Sequence, residues 1–360
     1  MAERPRGGVG GDRRQGDRPA LCDRRARGRA VSEHAGDGPR HVWVNGRLLP
    51  ADGAHVSAFD RGFQLGDGVF ETLRARGGRV TELPEHLARL HRSAAGLDIE
   101  LPVDTDERIE AGIGELLAAD GLSAADSDAS IRITVTRGEF RGRGLLPPSG
   151  TSSPTVAIQA WPVLPPPPGH LVKGLHLVAS AVRRDPESPL ATLKTTSRAD
   201  FVHARLEARR AGADDALFLT LDGHLSEATS ANIFLVRGDD LVTPDLACAI
   251  LAGTTRGWIL GWAPGAGLRP VEGWLSTRDL AEADEAFLCS SVAGVLPVTA
   301  FEGRPIGSGR PGPVTLRARA AREAFIRGGG PRTGEELRSV GQTGTGDPGR
   351  TDGTAGASRR

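Results

Sequence analysis

The chain has 360 residues, 45 basic and 45 acidic, and a formal net charge of zero. That length buries an ample core in one large or two ordinary domains without disulfide or metal support. The balanced charge gives no overall field to draw nucleic acid or an anionic membrane.

Cys22, Cys248 and Cys289 are an odd set with no CxxC spacing, so neither a disulfide framework nor a zinc site is indicated. A reducing, cytoplasmic setting is expected. No apolar run approaches the ~20 residues that span a bilayer, and the N-terminus lacks the roughly 7–15 apolar residues of a secretory signal, so a soluble, unexported protein is expected. The only lysines are Lys173 and Lys194, in a Lys+Arg total of 45. Chemistry that needs a primary amine has two side chains to choose from, because arginine stays protonated and forms no imine.

Residues 1–38 are dominated by Arg, Gly and Asp and are expected to be a disordered tail, as are the polar residues 330–360. Folded structure is predicted to begin near His41 with a hairpin whose turn is Asn45-Gly46. A strand and turn in GDGVFETLRARGGRV precede a helix on which Leu83, Leu87, Leu90 and Ala94 share a face. A second helix over about 105–120 and an alternating strand, IRITVTRG, follow. The strand TVAIQAWPVL runs into Pro165–Pro168, a stiff joint expected to end any regular element.

The joint, 165–169, is taken as the boundary between a smaller domain over 39–164 and a larger one over 170–329. The larger one is predicted to hold the strand HLVASAVRR, a helix at 198–212, and a β-meander FLTLDGHLSEATSANIFLV turning at Asp222-Gly223. A helix in TTRGWILGWAPGAG, the strand ADEAFLCSS and a last helix at 311–328 complete it. Hairpins mixed with helices, without strict strand-helix alternation, indicate an α+β fold in two domains and disfavour a doubly wound nucleotide fold.

Lys194, in SPLATLKTTSRAD, is placed at a partly buried strand end, where desolvation would favour the neutral amine; alone, an exposed lysine at a helix start is the commoner outcome. Glu227 follows the Asp-Gly turn and shares a strand face with Leu225, toward the interior. A buried carboxylate there needs a cationic partner, which a protonated pyridine nitrogen would supply, although an exposed strand glutamate is the plainer alternative.

LAGTTRG opens a helix with Gly253, Thr254 and Thr255 presenting amides and hydroxyls at its positive end, which suits phosphate as well as a simple cap. Ser290 and Ser291 offer donors at a strand end, and Arg89 in EHLARL offers a bidentate cation, though a solvated helix arginine is commoner. His86 and His91 are five apart and miss the i, i+4 geometry of a metal pair, so they are taken as structural or solvated. Cys289 is taken as a small buried residue, not a nucleophile.

The ordered succession DRGFQLGDGVFET, EHLARL, VTRG, LKTTSR, LSEATSANIF, LAGTTRG and DEAFLCSSVAGVLPV, over essentially 41–328, resembles the class IV aminotransferase family, the fold type IV pyridoxal phosphate enzymes. The resemblance implies pyridoxal 5'-phosphate held as a Schiff base on Lys194, which would also carry the proton between the substrate α-carbon and the cofactor. It implies Glu227 at the pyridine nitrogen, with Arg89, Thr255 and Ser291 on the phosphate and the Thr254 amide assisting. It further implies a smaller N-terminal α/β domain, a larger barrel-like C-terminal domain, and a homodimer whose N-terminal loops complete the partner's site.

For the substrate carboxylate, the loop RGEFRGRGLLPP offers Arg141 and Arg143, with Arg143 the better match to LLPP. The family's substrate tyrosines have no counterpart, since the chain has no tyrosine. KTTSR resembles the Lys-x-x-Asn-Arg of aminodeoxychorismate lyases, whereas GDGVFET also resembles D-amino acid transaminases. The favoured function is amino transfer from an amino acid to a 2-oxo acid; the alternative is a 4-amino-4-deoxychorismate lyase releasing pyruvate and 4-aminobenzoate. A catalytically idle binding protein is disfavoured because Lys194 and Glu227 are both present.

Overall fold

Asn45 and Gly46 close a hairpin between β1 (His41–Val44) and β2 (Arg47–Pro50), both at positive φ, 49° and 87°, as the tight primed turn requires. The molecule is a computed structural model that describes residues 38–146, 150 and 153–328. The expectations for the two tails, and Cys22, lie outside the described residues.

A short helix α1 (Arg61–Leu65), capped by Asp60, leads into β3 (Gly68–Arg76) and β4 (Arg79–Val80). Helices α2 (Leu83–Ala95) and α3 (Thr105–Ala119) precede β5 (Asp128–Thr136) and β6 (Thr155–Pro162). The six strands form one antiparallel sheet in the order β2-β1-β6-β5-β3-β4. Alternate residues of β5 and β6, among them Ile131, Ile133 and Ile158, point to the face that α2 and α3 cover with Leu87, Leu90, Ile109, Ile113 and Leu116. Each such side chain contributes about 1.5–3 kcal/mol when fully buried.

The strand β6 ends at Pro162 and residues 163–167 hold no regular element, as expected, but the last proline of the run starts a new one. Pro168 begins a short helix, α4 (Pro168–Val172), because its fixed φ and missing N–H suit the first helical position. Beyond it come β7 (Leu175–Arg184), α5 (Ala199–Arg210), β8 (Asp215–Thr220), β9 (Leu225–Ala228), β10 (Asn232–Arg237) and β11 (Asp240–Pro244). The chain continues through α6 (Thr254–Trp262), β12 (Arg269–Gly273), α7 (Thr277–Ala281), β13 (Glu285–Ser290), β14 (Gly294–Phe301), β15 (Arg304–Pro305) and α8 (Pro313–Ile326).

These strands make a nine-stranded sheet, β12-β11-β10-β13-β14-β7-β8-β9, with β15 alongside β14. The expected meander is interrupted. β8 and β9 pair around Gly223, but β9 and β10 occupy distant places in the ladder order, and the backbone bond between them is at the turn, where Ala228 N donates to Ala231 O at 2.9 Å. Because β9 also packs beside β10 and β11, the sheet curls on itself into a half-barrel. The fold therefore mixes helices with two sheets, and no helix among the described residues is long and apolar enough to cross a membrane.

Candidate active site

β3 continues its pairing onto a segment that follows β7. Phe70 N donates to Lys194 O at 2.9 Å, Thr196 N to Gly68 O at 2.8 Å, and Val69 bridges Thr195. From α2, Ser93 Oγ accepts from Lys194 N at 3.1 Å. Lys194 is thus held by backbone bonds on an irregular segment, not at the end of a regular strand, because turns occupy much of 186–193. Its side chain is half-buried, with Nζ 4.7 Å from the Phe70 ring centroid. Burial, then the charge of Arg89, brings the ammonium pKa down to about 8, so an appreciable neutral fraction exists near neutral pH.

Glu227 sits on β9, buried, with its carboxyl pKa raised by that burial. Its Oε2 accepts from Leu251 N at 3.0 Å and Asn232 Nδ2 at 3.4 Å. No bond to Oε1 is found among the described residues, and Glu227 lines the cavity. A carboxyl so placed favours a cationic N–H partner there.

Gly253 caps the N-terminus of α6 at a place where a side chain does not fit: a Cβ there would lie 2.1 Å from Asn232 Oδ1. Thr254 Oγ1 is 3.3 Å from Ser291 Oγ and 3.4 Å from His86 Nε2. Arg89 on α2 donates to Ala252 O at 3.0 Å, just before α6, and doubly to Glu71 on β3 at 2.8 and 2.7 Å. His86 Nδ1 donates to Glu71 Oε2 at 2.7 Å. Burial alone would push the Glu71 carboxyl up, but the bonds from Arg89 and His86 hold it down to about 2.

Arg89, Lys194, Glu227, Thr254, Thr255 and Ser291 all line one cavity of about 310 Å³. The helix N-terminus, its hydroxyls and a guanidinium favour phosphate; the amine and the buried carboxyl lie on the same walls. Arg143 is not among the lining residues. It is exposed on its loop, which is held where Arg61 donates to Gly144 O and Leu145 O. Arg141 is also exposed and bonded to Glu139.

The family model for amino-transferase class IV matches residues 68–301. The chain belongs to the class IV aminotransferase family. Relatives include a Methanocaldococcus jannaschii protein provisionally named branched-chain-amino-acid aminotransferase, 36% identical over 77% of this chain and 93% of its own. D-alanine aminotransferase of Bacillus licheniformis is 32% identical over 79% and 96%, and aminodeoxychorismate lyase of Vibrio harveyi is 32% identical over 71% and 90%. Among solved structures, Escherichia coli branched-chain amino acid aminotransferase superposes with a TM-score of 0.76 at 28% identity, covering 81% of this chain and 96% of that one. Another branched-chain amino acid aminotransferase, solved with pyridoxamine 5'-phosphate, gives 0.74 at 29%, covering 81% and 95%.

Class IV aminotransferases are enzymes that use pyridoxal phosphate, and the cavity's donor set fits that group. Its walls hold a helix N-terminus with hydroxyls, a carboxyl with one open oxygen and an amine of lowered pKa. For a class IV enzyme, several cavity features went unread in the sequence. Arg184 and Arg198 line the cavity, and burial lowers the Arg198 pKa to about 10. Phe70 lies under Lys194. The Glu71–His86–Arg89 cluster is assembled by α2 packing on β3; GDGVFET and EHLARL contain all three residues, but nothing in their spacing shows that they meet. Cys289 does line the cavity, but burial pushes its thiol up to about 12, so it stays a protonated, inert side chain.

Proposed function

We propose that the enzyme transfers an amino group from an amino acid to a 2-oxo acid, with Lys194 as the amine that holds the cofactor. The observation that carries this is a lysine of lowered pKa facing the same cavity as a buried carboxyl with one open oxygen. Bound pyridoxal phosphate supplies an aldehyde that condenses with amines and a ring that draws electrons from the substrate α-carbon. Lys194, in its neutral form, would take the α-proton at Nζ and pass it to the cofactor carbon that bore the aldehyde. Glu227 Oε1 would accept the ring N–H, with Oε2 fixed by Leu251 and Asn232. Arg89, Thr255, Ser291 and the Thr254 amide would hold the phosphate, and Phe70 packs against the amine.

A second reading, 4-amino-4-deoxychorismate lyase, is favoured by Arg198. It belongs to KTTSR, lines the cavity, and has no carboxylate salt bridge among the described residues, which suits a substrate with an extra carboxylate. The purified enzyme is titrated with single L- and D-amino acids, and separately with aminodeoxychorismate. Amino transfer converts the cofactor absorbance to the amine form and yields a keto acid. Release of pyruvate from aminodeoxychorismate with no added 2-oxo acid selects the lyase, and a spectrum that no amino acid moves sinks the first reading.

The homodimer belongs to this proposal. Val56, Phe59, Phe63 and Leu65 are exposed beside the loop that carries Arg143, so a second copy covering them brings that loop toward a neighbouring cavity. A cytoplasmic setting fits Cys248 and Cys289, both free thiols. The division into two domains at 165–169 is likewise proposed, with one sheet on each side of the joint.

A further inference from the structure

Arg322 of α8 is fully buried, far along the chain from every motif that lines the cavity. Its Nη1 and Nη2 donate to Glu82 Oε1 and Oε2 at 3.0 and 2.6 Å, and Nη2 also donates to Thr255 Oγ1 at 3.2 Å. Trp258 and Phe325 flank the guanidinium, each with its ring centroid 5.2 Å away. Glu82, at the head of α2, holds a left-handed φ of 56°, a conformation that non-glycine residues keep only where the surroundings enforce it.

A threonine hydroxyl has one hydrogen and two lone pairs. Since Thr255 Oγ1 accepts from Arg322, its hydrogen must point elsewhere. In a helix the usual acceptors are the carbonyls three or four residues back. Here Ala252 O and Leu251 O are engaged by Arg89 Nη1 and Asn232 Nδ2, both at 3.0 Å, and no hydrogen bond donated by Thr255 Oγ1 is found among the described residues. The open direction is the cavity, which Thr255 lines.

We propose that Arg322 is a positioning residue that aims the Thr255 hydroxyl at the cofactor phosphate. It touches neither cofactor nor substrate; Glu82 fixes its fork, and the fork fixes the rotor. This rests on the pyridoxal phosphate reading and on Thr255 belonging to the phosphate site. Losing one aimed donor to a dianionic phosphate weakens cofactor binding about tenfold.

Removing Arg322 alone would strand the Glu82 carboxylate, so the double variant Glu82→Gln/Arg322→Met is compared with Glu82→Gln alone. Cofactor affinity is read by absorbance titration and by release from diluted holoenzyme, with pyridoxal, which lacks the phosphate, as the control ligand. The expected result is binding of pyridoxal phosphate about tenfold weaker, pyridoxal binding unchanged, and no further loss when the pair is added to Thr255→Val. An unchanged affinity, an equal loss for both ligands, or a full additional loss in the Thr255→Val background would each overturn the role. The cofactor reading is checked separately: borohydride must fix pyridoxal phosphate on Lys194 in the wild-type enzyme. If it does, a failure among the variants counts against Arg322 alone; if the wild type takes up no cofactor, both fall.

Discussion

At Lys194 the chemistry and the scarcity of lysine meet. Lys194→Ala is expected to lower turnover by about a hundredfold to ten-thousandfold, the usual contribution of a positioned acid-base group, and to abolish borohydride labelling seen by mass spectrometry. Lys194→Arg should do no better, because a guanidinium stays charged. With a folded pKa near 8 against an ordinary value of 10.5, the native state holds fewer protons than the unfolded chain between those values. The amine's unfavourable contribution to stability is therefore full below about 8 and is relieved as pH rises to 10.5. The rate of cofactor uptake by cofactor-free enzyme should rise with a midpoint near 8; a midpoint near 10.5 would show an undisturbed lysine. Residue types singled out Lys194, Glu227, Arg89 and the Thr254-Thr255 pair, since few side chains suit an imine, a pyridinium or a phosphate, and the fold brings them to one cavity. Arg143 was picked by pattern alone, and on its exposed loop it lies outside the lining of this cavity.

Among the elements, α2 is tied to the site through Glu71 on β3, which grips both Arg89 and His86. Glu71→Gln should destabilise the protein by about 3 kcal/mol or more, as when a buried ion pair loses one partner, measured by denaturant unfolding. The Glu71 contribution should be present above the usual carboxylate pKa of 4.5 and fade as pH falls toward about 2.

On α3, Gly112 lies against Trp43 of β1, and a Cβ there would come within 2.6 Å of the indole. Gly112→Ala, worth about 1 kcal/mol of helix propensity in an exposed helix, should instead lower the melting temperature. Elements with clear periodicity or an Asn-Gly or Asp-Gly turn were readable from the chain. β11, β12 and β14 were not, since β14 has Pro297 inside it and the other two are short runs whose strand character depends on neighbours. The β9–β10 break was also hidden, because curling of a sheet is a long-range property.

For the whole molecule, the ties between the first sheet and the last helix stand out. Arg74 of β3 donates to Asp128 at 2.8 and 2.6 Å and to Glu323 of α8 at 2.9 and 3.3 Å. Arg79 reaches Ile326 O at 2.7 Å. The pairings with α8, more than 240 residues apart, leave no mark in any local stretch of sequence. If a second copy covers Phe63, which is 77% exposed, then Phe63→Glu should yield monomers in light scattering and lower activity together; a wild-type monomer in solution would remove the dimer. The placement of Arg322 has a consequence for biosynthesis. Both sheets leave the ribosome ahead of Arg322, so if Arg322 orients Thr255, the last roughly tenfold of grip on the vitamin B6 coenzyme should be gained only when α8 has emerged and packed.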